Sequence, residues 1–156
     1  KMPKPTYGNV LAGGAAALVL AGGIFFLFWD GFAIDALNPE RRAALAMGET
    51  VYRSACASCH GLELEGQPNW RQPGPDGKMP APPHDASGHT WHHSDEVLFN
   101  LTKFGLQAYV SESYQSDMPA FEGILSDEEI WAVILYIKST WPEEIRRSQA
   151  SRNNQT

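Results

Sequence analysis

The sequence predicts an all-α protein: a single N-terminal transmembrane helix followed by a small helical domain with long loops. Three observations carry that expectation. Val10 to Trp29 runs for 20 residues without a charge or a strongly polar side chain. Three later segments place apolar residues at helical spacing, and none alternates like a half-buried strand. Between two of those segments, residues 61–93 hold Pro68, Pro73, Pro75, Pro80, Pro82 and Pro83, which exclude regular helix and central strand.

As a helix the apolar run is about 30 Å long, the thickness of a bilayer's hydrocarbon core. A cleaved signal peptide has a shorter apolar region and a small-residue cleavage site. This run ends instead in Ile24-Phe25-Phe26-Leu27-Phe28-Trp29. Lys1 and Lys4 precede it, and Asp30 and Asp35 follow it. The positive-inside rule therefore puts residues 1–9 in the cytoplasm, 10–29 across the membrane, and everything beyond outside. In a Gram-negative cell this is the inner membrane, with the folded domain in the periplasm. Gly13, Ala17 and Ala21 form a small-residue stripe suited to close packing against a partner helix in the bilayer.

Composition excludes several function classes. Acids outnumber bases 18 to 12, for a net charge of −6. That balance argues against a general nucleic-acid binder, which needs a basic face. Cys56 and Cys59 are the only cysteines, too few for a disulfide scaffold or a four-cysteine zinc site.

Residues 30–38 form a linker that reaches at most about 30 Å, so the following domain stays close to the membrane. Asn38-Pro39 opens a helix with a capping residue and a proline at its first position. Ala44, Gly48, Val51, Tyr52 and Ala55 carry it on one face to about Ser54. The next helix starts at Ser94, buries Val97, Leu98, Leu101 and Phe104, and stops at Gly105. Ser126-Asp127-Glu128-Glu129 is a capping box. It opens a helix with Ile130, Val133, Ile134, Ile137 and Trp141 on one face, ended by Pro142. The folded domain is expected over 39–145, and 146–156 reads as a flexible polar tail. Three helices cannot cover loops this long, which points to a large apolar cofactor as the missing core.

Cys56-Ala57-Ser58-Cys59-His60 is C-x-x-C-H, the attachment signature for c-type haem. Two thiols three positions apart reach the two vinyl groups of one haem, and the adjacent His is aimed at the iron. A thioredoxin-type dithiol has the same cysteine spacing but needs a βαβ setting that is absent. His84, His89, His92 and His93 form a second cluster. It is a candidate copper or zinc site, a source of a bis-His haem ligand, or a set of loop caps, propionate contacts and solvent-facing rings.

With these residues the chain resembles the class I cytochrome c family over Asn38 to Trp141. Gly48, Tyr52 and Cys56 stand at that family's spacing, and Tyr136 matches the tyrosine of its last helix. The resemblance implies one covalent haem c held by Cys56 and Cys59, with His60 and Met118 as axial ligands. Met118 lies in Ser116-Asp117-Met118-Pro119-Ala120-Phe121, in the loop before the last helix, where the family carries its methionine. Met2, Met47 and Met79 are worse placed. The family's proline carbonyl, which accepts the ring N–H of the axial His, falls on Pro82 or Pro83. Arg71 and Trp70 are candidates for a haem propionate contact, or are solvent-exposed.

Function follows from two filled axial positions, which leave no site for oxygen or peroxide chemistry. The expected protein is an electron carrier rather than an enzyme, in a respiratory or photosynthetic chain. By resemblance its partners are a quinol–cytochrome c oxidoreductase and a terminal oxidase or reaction centre. The alternatives are a fixed haem subunit of a larger membrane oxidoreductase complex and, further off, a haem sensor or peroxidase.

Overall fold

The computed structural model describes residues 38–111 and 113–153. The apolar run 10–29, the residues before it and the linker up to Leu37 lie outside the described residues. No described helix is long and apolar enough to cross a membrane. The described residues are all-helical, without a strand. In order they form α1 (Pro39–Val51), a π-helical turn (Tyr52–Cys56), α2 (Ala57–His60), a 3-10 turn (Thr90–His92), α3 (Asp95–Phe104), a 3-10 turn (Leu106–Ala108), α4 (Asp127–Ser139) and α5 (Glu143–Ala150).

The helix starts follow their capping chemistry. Asn38 Oδ1 accepts from the N–H groups of Glu40, at 2.9 Å, and Arg41, at 3.3 Å. Ser94 Oγ accepts from Val97 N. Ser126 and Glu129 complete the expected reciprocal box at the head of α4. The first helix departs from expectation at its far end. Rather than stopping near Ser54, it passes through the π-helical turn and continues as α2 to His60. A π-helical turn adds a residue to the helical repeat, so the motif is rotated off the face that α1 follows.

Gly48 fixes how closely α1 crosses α4. A Cβ there would lie 2.0 Å from the carbonyl oxygen of Ala132 and 2.8 Å from Tyr136 Cβ. Beyond this crossing the rings of Tyr52 and Tyr136 pack with centroids 5.6 Å apart. Val51, Tyr52, Val133, Ile137 and Trp141 form one buried cluster. Leu98, Ile130 and Ile134 form a second between α3 and α4. Phe104 was expected on the buried face of α3 and is instead 50% exposed. It lies six residues from Leu98, about 120° round the helix. Phe99 packs against the second cluster and stacks on Trp131 at 4.6 Å.

The proline-rich segment has no helix or strand before Thr90, yet hydrogen bonds tie it down. Leu64 is buried with φ 65°, and its carbonyl accepts the N–H groups of His84, at 2.8 Å, and Asp85, at 3.2 Å. Gln67 N donates to Ala81 O, and Ala81 N donates back to Gln67 Oε1.

The C-terminal segment differs most from expectation. Much of the supposed polar tail is α5, and Gln149 is fully buried. Gln149 Nε2 donates to His93 O at 3.2 Å and to Asp95 Oδ1 at 2.7 Å, and Asn153 Nδ2 donates to Asp95 Oδ2. The docking residue is an amide, so no apolar period announces it. Order therefore extends past residue 145, to at least Asn153.

Gly48→Ala drives a methyl group into a backbone oxygen that cannot move without separating the helices. It should cost about 1–3 kcal/mol, towards the upper end, as overpacking does. Thermal unfolding of the haem-loaded protein checks this.

Candidate functional site

A cavity of about 430 Å³ lies among α2, the proline-rich segment, α3 and α4. Its chemical groups are Cys56, Cys59, His60, Met79, Pro82 and Met118, and much of the rest of its wall is apolar, from Leu98 to Ile137. The size suits a bound organic cofactor.

His60 closes α2 and is buried. Its Nδ1 lies 2.8 Å from the carbonyl oxygen of Pro82. A carbonyl only accepts, so Nδ1 carries the proton and the Nε2 lone pair is left free for a metal. Burial lowers the imidazole pKa, and the Pro82 carbonyl opposes that only in part. The ring is therefore neutral at physiological pH, the form that ligates. Gly66 lets the chain pass the double proline: at φ +69°, its Cβ would sit 2.4 Å from Pro83 N and 2.6 Å from the Pro82 carbonyl carbon.

Cys56 is half-buried and Cys59 exposed. Burial, and to a lesser degree the neighbouring Cys59, pushes the Cys56 thiol up to about 11. Tyr52 helps fix the turn that follows: its hydroxyl donates to Gly61 O at 2.9 Å, with His60 O at 3.4 Å.

Met118 reaches the cavity from the segment between α3 and α4. That segment is pinned on both sides. Phe121 N donates to Thr102 O at 3.1 Å, Met79 N donates to Gln115 O at 2.7 Å, and Lys78 pairs with Asp117. The last two contacts join the proline-rich segment to the methionine segment across the cavity. They also bring Met79 onto its wall, which its sequence position did not suggest.

Of the expected site residues, the structure gathers Cys56, Cys59, His60, Pro82 and Met118. It decides between the two prolines, since Pro82 meets the imidazole while Pro83 is buried outside the cavity wall. Arg71 does not reach the cavity. It is exposed, and its guanidinium lies 4.0 Å from the centre of the Trp70 ring, which in turn stacks on His89. The histidines separate: His84, His89 and His93 line the cavity, while His92 stacks on Trp91. Among the described residues no group of three or more His, Cys, Asp or Glu is arranged to hold a metal ion. His84 stands beside His60 with its ring stacked at 3.9 Å. Burial, then the nearby His60 and His89, hold its pKa well below the ordinary range.

The cytochrome c family model matches residues 45–141, most of the described chain. The chain belongs to the cytochrome c family. No curated protein and no solved structure matches it. Membership makes this cytochrome a haem-based electron-transfer protein, in a family not generally of enzymes. The spacing of Cys56 and Cys59 fits covalent haem c. The residues present fit that group: two thiols, an imidazole with a free Nε2 and a thioether share one largely apolar cavity.

A Cys56→Ala/Cys59→Ala double variant should lose covalent haem and accumulate little compact domain, because holo stability includes the cofactor's binding energy. Haem staining and protease resistance of the expressed protein test both halves. A protease-resistant haem-free domain would show that the cavity needs no filling.

Proposed function

We propose that this cytochrome is a membrane-anchored, mono-haem electron carrier of the class I type, with His60 and Met118 as the axial ligands. The observation that carries the reading is the donor set of the cavity, where Met118 shares a wall system with an imidazole whose Nδ1–H is already engaged by Pro82. When bound, the haem supplies a one-electron ferric–ferrous couple. The Pro82 carbonyl polarises His60 and orients its ring, which strengthens Nε2 as a donor. A thioether from Met118 together with the His60 imidazole would raise the potential relative to two nitrogen ligands. With His60 and Met118 both holding the iron, no coordination site would be left for substrate, which favours electron transfer over sensing or peroxidase chemistry.

The location rests on sequence. Val10 to Trp29 has the length and apolarity of a span, and Lys1 and Lys4 favour a cytoplasmic N-terminus. The haem domain is then periplasmic, at the inner membrane. By family resemblance the donor is a quinol–cytochrome c oxidoreductase and the acceptor a terminal oxidase or reaction centre. The stripe Gly13, Ala17 and Ala21 supports a second reading, a fixed subunit held through its helix.

Met118→His should keep the haem and lower its reduction potential, whereas Met79→Leu should leave the potential and the far-red sulfur-to-iron band unchanged. Redox titration with visible spectroscopy decides. The opposite pattern would move the ligand to Met79.

A chain beginning at Asp35 should be soluble with an intact visible spectrum, yet slow with membranes at low concentration, because the anchor no longer raises its effective concentration at a membrane partner. Excess soluble protein should restore the rate of a roaming carrier and not that of a fixed subunit.

A further inference from the structure

We propose that His84 is a positioning residue for His60, a flat clamp that fixes the rotation of the axial imidazole about its side-chain bond. The role rests on His60 being the axial ligand. The two rings lie with centroids 3.9 Å apart and planes 25° from parallel. The Pro82 carbonyl holds His60 only at one edge, through Nδ1 at 2.8 Å. With Nε2 engaged as a ligand, the ring can still rock about the line from Cβ to Nε2, restrained at one edge by the single Pro82 hydrogen bond. A second ring against its face removes that freedom.

A clamp works only if it is itself fixed, and His84 is held at three atoms. Its backbone N–H donates to Leu64 O at 2.8 Å. Its carbonyl accepts from Trp141 Nε1 at 2.7 Å, and Trp141 is buried in the main core cluster. Its Nδ1 is paired with Thr90 Oγ1 at 2.9 Å, and Thr90 is buried. The Tyr52 ring meets it edge-on at 6.2 Å. Both ends of the domain thus bear on one imidazole: Tyr52 from the end of the first helix and Trp141 from just beyond the last turn of α4. Orientation of an axial ring fixes which iron orbitals it donates into, so the expected signature is electronic.

The test is ferric electron paramagnetic resonance on the full-length haem-loaded protein, with the far-red sulfur-to-iron band as a control for Met118. The parent should give one low-spin species. His84→Ala should shift its g-values and replace the single species by several, with the far-red band retained. His84→Phe, which keeps a flat ring without the bond to Thr90, should bring the values back most of the way, to about those of Thr90→Val. Thr90→Val, which frees the His84 ring without removing it, should shift them in the same direction by less. Parent g-values in His84→Ala overturn the proposal, as does a His84→Phe variant that behaves like His84→Ala. If His84→Ala does not accumulate, unchanged g-values in Thr90→Val overturn it. A parent without a low-spin species would overturn the assignment of His60 and the clamp with it, whereas a low-spin parent unmoved by these changes overturns the clamp alone.

Discussion

Contact between the backbone at Gly48 and the Ala132 carbonyl sets the separation of α1 and α4, and the rest of the domain is built outward from it. A side chain at Gly48 would push the helices apart. The π-helical turn then rotates Cys56, Cys59 and His60 off the α1 face and towards the cavity. On the facing helix, Val133 and Ile137 join the cluster around Tyr52, while Ile130 and Ile134 pack with Leu98. The same helix therefore braces both clusters, and Val133, Ile134 and Ile137 also line the cavity. A cavity with that much apolar wall is costly to leave to water, which is the physical link between the haem and the fold.

The long segment between the attachment motif and α3 is ordered by polar contacts rather than by regular structure. Backbone groups of Leu64 and Gln67 pair with those of His84 and Ala81, and Lys78 and Met79 reach the segment that carries Met118. Buried backbone groups must find partners, and here they find them across the turn of the segment instead of along a helix. The bonds place Pro82 O on one side of His60 and the ring of His84 on another.

Charge contributes unevenly. Pairs such as Arg53–Glu49 and Arg147–Glu143 are exposed and contribute little to stability. Asp95 is different: its carboxylate accepts from Lys138, Gln149 and Asn153. It joins the first turn of α3 to α4 and α5 and fastens the C-terminal helix over the turn that carries Thr90. With 18 acids against 12 bases, the field of the chain as a whole attracts positive rather than negative surfaces.

Local chemistry was legible in the sequence by itself. Cys56, Cys59 and His60 fall within five residues, so their purpose can be read without a fold. Ser94 and the box at Ser126 are decided by residues within one helical turn, and prolines bar helix interiors and central strands. Long-range partnerships were not legible. Pro82 and Pro83 are equivalent until the path past Gly66 brings one carbonyl to His60. Arg71 could meet a propionate or face solvent, and only the path of its segment leaves it exposed and off the cavity wall. Met79 and Met118 share a cavity only because separate segments are tied together. Gln149 gave no apolar signal, since an amide docks by hydrogen bonding, and His84 was one histidine among four until its ring lay against His60. Spacing along the chain decides what one turn of backbone can reach, whereas contacts between residues 20 or more positions apart depend on how helices cross and loops return.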